Sequence, residues 1–360
     1  MDMRHIRALK ASLLIVCLLV LLTTGCQEKD SAFNFQEDIN DKDGIKIGFS
    51  MGTLQEERWQ RDRDIFVARA QELGAEVIVL NAYNDNEEQI RQVGYLIEQG
   101  IDILVIIPHD AEKSTDTVHM AKKAGIKVIS YDRLIRNANA DLYISFDNVR
   151  VGEIMAEELT KEVPTGNYII LKGAPTDYNS TMFYEGYMNV LNDYIERGDI
   201  KVVAEIWAKD WAREEAFQCV EETLEKGIEI NGIIAGNDSL AAAAIEALSE
   251  KRLAGKVAVV GHDADLSACQ RVVEGTQLMT VYKPIEKIAK AAAEAAIKMA
   301  GGQELFVLDK IYDGKYEVPY LMVQPIPVTI DNMKNTIIKD SFHRMEDIYI
   351  NIPEYLWPKE

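Results

Sequence analysis

Short β-branched apolar runs recur along this chain, most of them followed by a stretch of helical periodicity, and that alternation constrains the fold more than any other feature. The runs are 45–49, 76–80, 103–107, 127–131, 142–146, 167–171, 202–206, 233–235, 257–260 and 279–282. Helical patterns fill most gaps, at 58–73, 86–99, 112–124, 150–162, 179–196, 239–251 and 285–300. Strands alternating with helices predict parallel sheets covered on both faces. Ten strands are many for one such sheet, so the expected fold is α/β with two doubly wound domains. Local signals agree. Asn86 precedes the acidic turn Glu87-Glu88, which suits a helix start, and Gly74, Gly100 and Gly125 each close a helical run before a strand. The alanine-rich stretch Ala291–Ala300 has high helix propensity.

The first thirty residues say where the chain works. Arg4, Arg7 and Lys10 precede an apolar run from Ala11 to Leu22, and Thr23-Thr24-Gly25-Cys26 follows. Twelve apolar residues are too few for a spanning helix, which needs roughly 20, and suit a cleaved export signal. The pattern resembles a bacterial lipoprotein signal. That resemblance implies cleavage before Cys26 and a lipid anchor on Cys26 at the outer face of the cell membrane, or release to the periplasm. Residues 1–25 are then the signal and 26–43 a polar, flexible tether. The remaining 335 residues carry 36 basic and 58 acidic side chains, a net charge of −22. Such a charge disfavours nucleic acid and anionic lipid surfaces, so no nucleic-acid partner is expected. Of the other cysteines, Cys17 leaves with the signal, while Cys219 and Cys269 stand in helical patterns as buried thiols or a disulfide. No Cys/His spacing suggests a metal, and no glycine-rich phosphate loop suggests a nucleotide, so no cofactor is expected.

In open parallel sheets, ligand groups gather at the carboxyl ends of strands. Those ends carry Glu56, Arg58 and Trp59; His109; Asp132 and Arg133; Asp147 and Asn148; Asp177 and Asn179; Trp207 and Trp211; Asn237; His262 and Asp263; and Lys283. Aromatic planes suit the apolar C–H faces of a sugar ring, while carboxylates accept from hydroxyls, cations donate and amides do both. Gly48-Phe49-Ser50-Met51-Gly52 fits G-x-S-x-G, with Asp263 and His343 downstream. However, it lies on the first strand of its domain, where a nucleophile elbow does not belong, so a serine hydrolase stays a remote alternative and no catalytic residue is assigned.

Long strings resemble the D-xylose-binding family of bacterial ABC importers, within the ribose/galactose-binding superfamily. They are Glu57-Arg58-Trp59-Gln60-Arg61-Asp62-Arg63-Asp64, Tyr131-Asp132-Arg133, Tyr143-Ile144-Ser145-Phe146-Asp147-Asn148, Asp263-Ala264-Asp265-Leu266 and Gly275–Pro284. The resemblance runs from about 45 to 343. It implies a type I periplasmic binding protein: two lobes, a ligand cleft and a hinge crossed several times. By that likeness one lobe takes 44–147 plus 283–320, the other 148–282 plus 321–343, and 344–360 is an extension. The family's sugar contacts fall on Arg58, Trp59, Asp132, Arg133, Asn179, Trp211, Asn237, Asp263 and Lys283, with Trp59 and Trp211 enclosing the ring. Asp177 and Asp147 would orient neighbours, and Tyr178, where the family has a small polar residue, would alter the rim. The implied ligand is D-xylose or a related monosaccharide. The implied partners are the transmembrane subunits of an ABC permease or, alternatively, a sensor-kinase ectodomain that reads the same closure.

Overall fold

The structure, a computed structural model, describes residues 44–359. The expected export signal, the expected anchor at Cys26 and the expected tether all lie outside the described residues. Two sheets form the body. The first has strand order β11-β12-β5-β4-β3-β1-β2, and the second β13-β10-β9-β8-β6-β7. In the first, β1 is Lys46–Met51, β2 Glu76–Asn81, β3 Ile103–Ile107, β4 Lys127–Tyr131 and β5 Leu142–Phe146. In the second, β6 is Gly166–Lys172, β7 Ile200–Trp207, β8 Gly232–Ala235, β9 Ala258–His262 and β10 Met279–Tyr282. All ten expected runs are strands, and within each lobe they pair in parallel. Both cores repeat one order, with the first strand between the second and third, so each lobe has a topological switch point beside its first strand.

Helices α1 (Glu57–Glu72), α2 (Asn86–Glu98), α3 (Thr115–Lys123) and α9 (Ile285–Ala300) cover the first sheet. Helices α4 (Asn148–Glu162), α5 (Tyr178–Glu196), α6 (Arg213–Glu225), α7 (Asp238–Glu250) and α8 (Leu266–Glu274) belong to the second lobe. The strand β3 reads Ile-Leu-Val-Ile-Ile and is buried throughout, as a central parallel strand must be when helices cover both faces. The alanines of α9 are small enough to let it lie close on α1. Helices α4 and α5 touch backbone to backbone. A Cβ on Gly152 would sit 2.1 Å from the Phe183 carbonyl oxygen, and one on Gly186 would sit 2.1 Å from that of Val149. These glycines set the height of α5, and with it the side chains of its first turns.

The chain passes between sheets after β5, after β10 and after β12 (Glu317–Val323). The last passage corrects the expected boundary at 320/321. The strand β12 lies whole beside β5 in the first sheet, and only β13 (Ile326–Val328) joins the second, antiparallel to β10. The strand β11 (Lys310–Tyr312) pairs antiparallel with β12 at the sheet edge. The segment after His343 packs on the second lobe. Ile348 and Tyr349, in and beside α10 (Met345–Ile348), are buried with Cys269, Val272 and Tyr282. Cys219 and Cys269 are free thiols. Among the described residues, no helix is long and apolar enough to cross a membrane.

Candidate functional site

The first lobe builds its wall from α1 and the end of β4. Arg58 and Trp59 stand in the first turn of α1, and one turn on Asp62 accepts from Arg58 Nε at 3.3 Å. Burial pushes the Asp62 carboxyl up to about 6 although Arg58 opposes it, and the Tyr131 hydroxyl donates to its other oxygen. Arg58 Nη2 donates to Asp132 at 2.6 Å, and the guanidinium lies 4.3 Å above the Trp59 ring. Asp132 adopts a left-handed backbone, φ 62°, directly after β4. That turn aims its carbonyl at three donors: Tyr143 at 2.9 Å, Ser145 at 2.6 Å and Asn179 at 3.1 Å. Arg133 lies 5.2 Å from the Trp59 ring.

The second lobe builds its wall from five strand ends. Asp177 caps α5 by accepting from the Asn179 amide at 3.0 Å, and Phe183 follows Asn179 by one turn on the same face. Asn237 caps α7 through the Leu240 amide at 2.8 Å. Trp211 leaves a left-handed pair, Asp210 at φ 52° and Trp211 at φ 59°, and its ring covers Gly173, where a Cβ would lie 2.1 Å from the indole. Only a glycine leaves the indole that place. At the end of β9 His262 packs 4.6 Å from Phe183, and Asp263 turns the chain at φ 107°. Lys283 Nζ lies 2.7 Å from Asp263 Oδ1. Burial opposes ionisation of Asp263, but Lys283, His262 and Arg58 together hold its carboxyl well below the usual range. Burial, reinforced by Lys283, lowers His262 to about 4, so the imidazole is neutral at pH 7.

The walls meet. Asn179 Nδ2 reaches Asp132, Arg58 Nη1 lies 3.4 Å from Asp263, and the Ala111 amide donates to the Thr176 carbonyl at 2.9 Å. Arg133 Nε and Asp177 Oδ2 form an ion pair at 2.8 Å, though off the line of a hydrogen bond. Between the walls is a narrow cavity. All nine residues expected at the site line it: Arg58, Trp59, Asp132, Arg133, Asn179, Trp211, Asn237, Asp263 and Lys283. Glu56, Asp177, Phe183 and His262 line it as well. Phe183 escaped the sequence reading because an aromatic one turn inside a helix looks like core. Its spacing of four from Asn179 was the available signal. Asn148, at the start of α4, sits behind the wall and donates to Asn179 Oδ1 at 3.1 Å. A larger hollow of about 300 Å³ between α6 and α7 is open to solvent and has no comparable convergence of polar groups.

Other candidates lie elsewhere. Asp147 caps α4 and does not line the cavity. Tyr178 stays off the rim, its ring covered by the Arg136 guanidinium at 4.1 Å. Trp207 is half-exposed on β7, with Lys172 Nζ 4.2 Å from its ring. Ser50 is buried within β1 and takes a hydrogen bond from Gln89, whereas His343 bonds the Ala264 carbonyl oxygen in the other lobe, so the G-x-S-x-G pattern forms no nucleophile elbow. Among the described residues, no group of three His, Cys, Asp or Glu side chains is placed to hold a metal ion.

Two switch-point lobes that meet over a small cavity lined with indoles, amides and paired charges define a cleft-closing solute binder, a non-enzymatic class. The chain belongs to the periplasmic binding protein family, whose domain matches residues 47–304. It is 45% identical over 316 residues to the D-xylose-binding periplasmic protein of Haemophilus influenzae, covering 88% of this chain and 95% of that one. It is 44% identical to the protein of the same name from Escherichia coli, covering 84% and 92%. Among solved structures, it resembles a carbohydrate transporter solute binding protein from Chloroflexus aurantiacus in complex with D-glucose. The TM-score is 0.79 at 28% identity, over 84% of this chain and 98% of that one.

Proposed function

We propose that this protein captures D-xylose outside the cytoplasmic membrane by closing its two lobes over the sugar, and delivers it to the transmembrane subunits of an ABC permease. The observation that carries the reading is the convergence of nine polar and aromatic side chains, drawn from both lobes, on one small cavity. The 44–45% identity to two D-xylose-binding periplasmic proteins supports that sugar over others.

The site suits a neutral, hydroxyl-rich ring. Trp59 and Trp211 come from opposite lobes and offer apolar planes to its C–H faces, so both are in contact only when the cleft is shut. Asp132 and Asp263 accept from hydroxyls, Arg58, Arg133 and Lys283 donate, and Asn179 and Asn237 direct amides at the rim. Each cation of the cavity is already paired with a carboxylate, Arg58 with Asp132, Arg133 with Asp177 and Lys283 with Asp263, so none is left for an anionic ligand. A sugar lacking one hydroxyl leaves a buried group unpaired, which is the source of selectivity. Lipidation at Cys26 would keep the binder beside its permease. Calorimetric titration of residues 27–360 with D-xylose, ribose, arabinose, glucose and galactose tests the reading. One-to-one binding that favours xylose is expected, and silence toward every sugar overturns it.

A further inference from the structure

The hydrogen-bond acceptors of the cavity wall are mostly committed. Asn237 Oδ1 takes the Leu240 amide at 2.8 Å, Asn179 Oδ1 takes Asn148 at 3.1 Å, and Asp263 Oδ1 faces Lys283 at 2.7 Å. Two acceptors are not: Glu56 Oε2, buried without a partner, and His262. His262 is 2% exposed, it lines the cavity, and neither ring nitrogen has a hydrogen-bond partner. Nδ1 lies 3.3 Å from Asp263 Oδ1 but out of line, and that oxygen already faces Lys283 and Arg58. The ring is fixed by Phe183 at 4.6 Å and by the edge of Trp211 at 6.4 Å, so it cannot swing away to find another partner. A neutral imidazole offers one donor and one acceptor, and a neighbouring carboxylate keeps the proton on the nitrogen nearer to it. With the proton on Nδ1, the nitrogen nearer Asp263, the Nε2 lone pair is free.

We propose that His262 is a direct sugar contact, its Nε2 accepting the O–H of one ring hydroxyl on the Trp211 side of the cavity. The inference rests on the sugar-binding reading above. It assigns His262 a part in specificity: Trp59 Nε1 and Trp211 Nε1, both buried without partners, are donors only, and His262, beside Glu56 Oε2, supplies an uncommitted buried acceptor that complements them. A hydroxyl placed there can donate to His262 and accept from a neighbouring indole or ammonium group. A ligand that lacks that hydroxyl, or presents it on the opposite face, leaves the imidazole unpaired.

The test compares the wild type with His262→Phe and His262→Gln by calorimetry. The probes are D-xylose and derivatives that each lack one hydroxyl. His262→Phe should weaken D-xylose binding about tenfold, as loss of one buried hydrogen bond does. His262→Gln, which keeps an acceptor, should recover most of it. One derivative alone should bind the wild type and His262→Phe equally, because the hydroxyl that His262 meets is already missing. Wild-type protein labelled with ¹⁵N gives a readout that needs no substitution: the Nε2 resonance of His262 should move when D-xylose is added. D-xylose binding by His262→Phe within twofold of wild type, an equal loss for every derivative, or an unmoved Nε2 resonance would each overturn the contact while leaving the sugar reading intact. A wild type silent toward all sugars would overturn both.

Discussion

The two lobes repeat one strand order yet furnish their walls of the cleft differently. The first lobe presents charge that is already wired. Arg58 faces Asp62 and Asp132 in its own lobe and Asp263 across the cleft, while Tyr131, Tyr143 and Ser145 hold the carboxylates and the turn behind it. The second lobe presents Asn179, Phe183, Trp211, Asn237 and His262, which are neutral. Its charged members, Asp177, Asp263 and Lys283, sit where the lobes meet or the chain crosses. The difference teaches a division of labour. On the proposed reading, a charge network fixes one half of the site, and a largely neutral wall with uncommitted nitrogens supplies the half that reads the ligand. Burying such a network is expensive unless every charge keeps its partner.

The sharpest way to break this comparison is to remove the centre of the network. Arg58→Met leaves Asp62, Asp132 and Asp263 without their shared cation. Stability should fall by about 3–5 kcal/mol, the usual cost of breaking a buried ion pair. In contrast, Asn237→Ala in the opposite wall removes one helix cap and should cost about 1 kcal/mol. Urea unfolding measures both, and equal losses would erase the distinction between walls. A smaller effect on stability, but a clear one on binding, is expected for Gly173→Ala. The new methyl meets the Trp211 indole and costs about 1–3 kcal/mol of overpacking, and the displaced ring should weaken sugar binding about tenfold. Unchanged affinity would show that Trp211 is only core.

The pH dependence sharpens the comparison further. Burial with Lys283 lowers His262 from 6.5 to about 4. Between those values the unfolded chain binds the proton and the folded one does not, so stability falls as pH drops from 6.5 towards 4. The full window is worth about 3 kcal/mol. Asp62, Asp238 and Asp265, all raised by burial, act in the opposite direction, equally in wild type and variant. The wild type should therefore lose more stability than His262→Phe between pH 7 and pH 4.5 in urea titrations. Parallel losses would mean that His262 is solvated and not part of a dry wall.

Much of this could be read from sequence for a physical reason. Strands buried on both faces are written as unbroken runs such as Ile103–Ile107, and doubly wound sheets put ligand groups where such runs end. Residues as distant as Arg58 and Lys283 were therefore recognisable as site candidates before any contact was visible. The strands β11 to β13 were not. They have three, seven and three residues, β11 and β13 are edge strands with β12 next to an edge, and they include Pro319 and Pro327. A partly exposed strand beside a sheet edge has neither a continuous apolar run nor a clean alternation, which is why the last crossing was expected at 320/321 and not after Val323. Within the site, Phe183 was hidden for the opposite reason: an aromatic residue on the buried face of α5 looks like packing until the neighbouring lobe is in place.

The measurement that bears most directly on the account is a crystal structure of residues 27–360 grown with D-xylose. The account predicts one pyranose between Trp59 and Trp211, its hydroxyls met by Asp132, Asp263, Lys283 and His262 within a shut cleft. A sugar bound elsewhere, or held by one lobe alone with the cleft open, would contradict it.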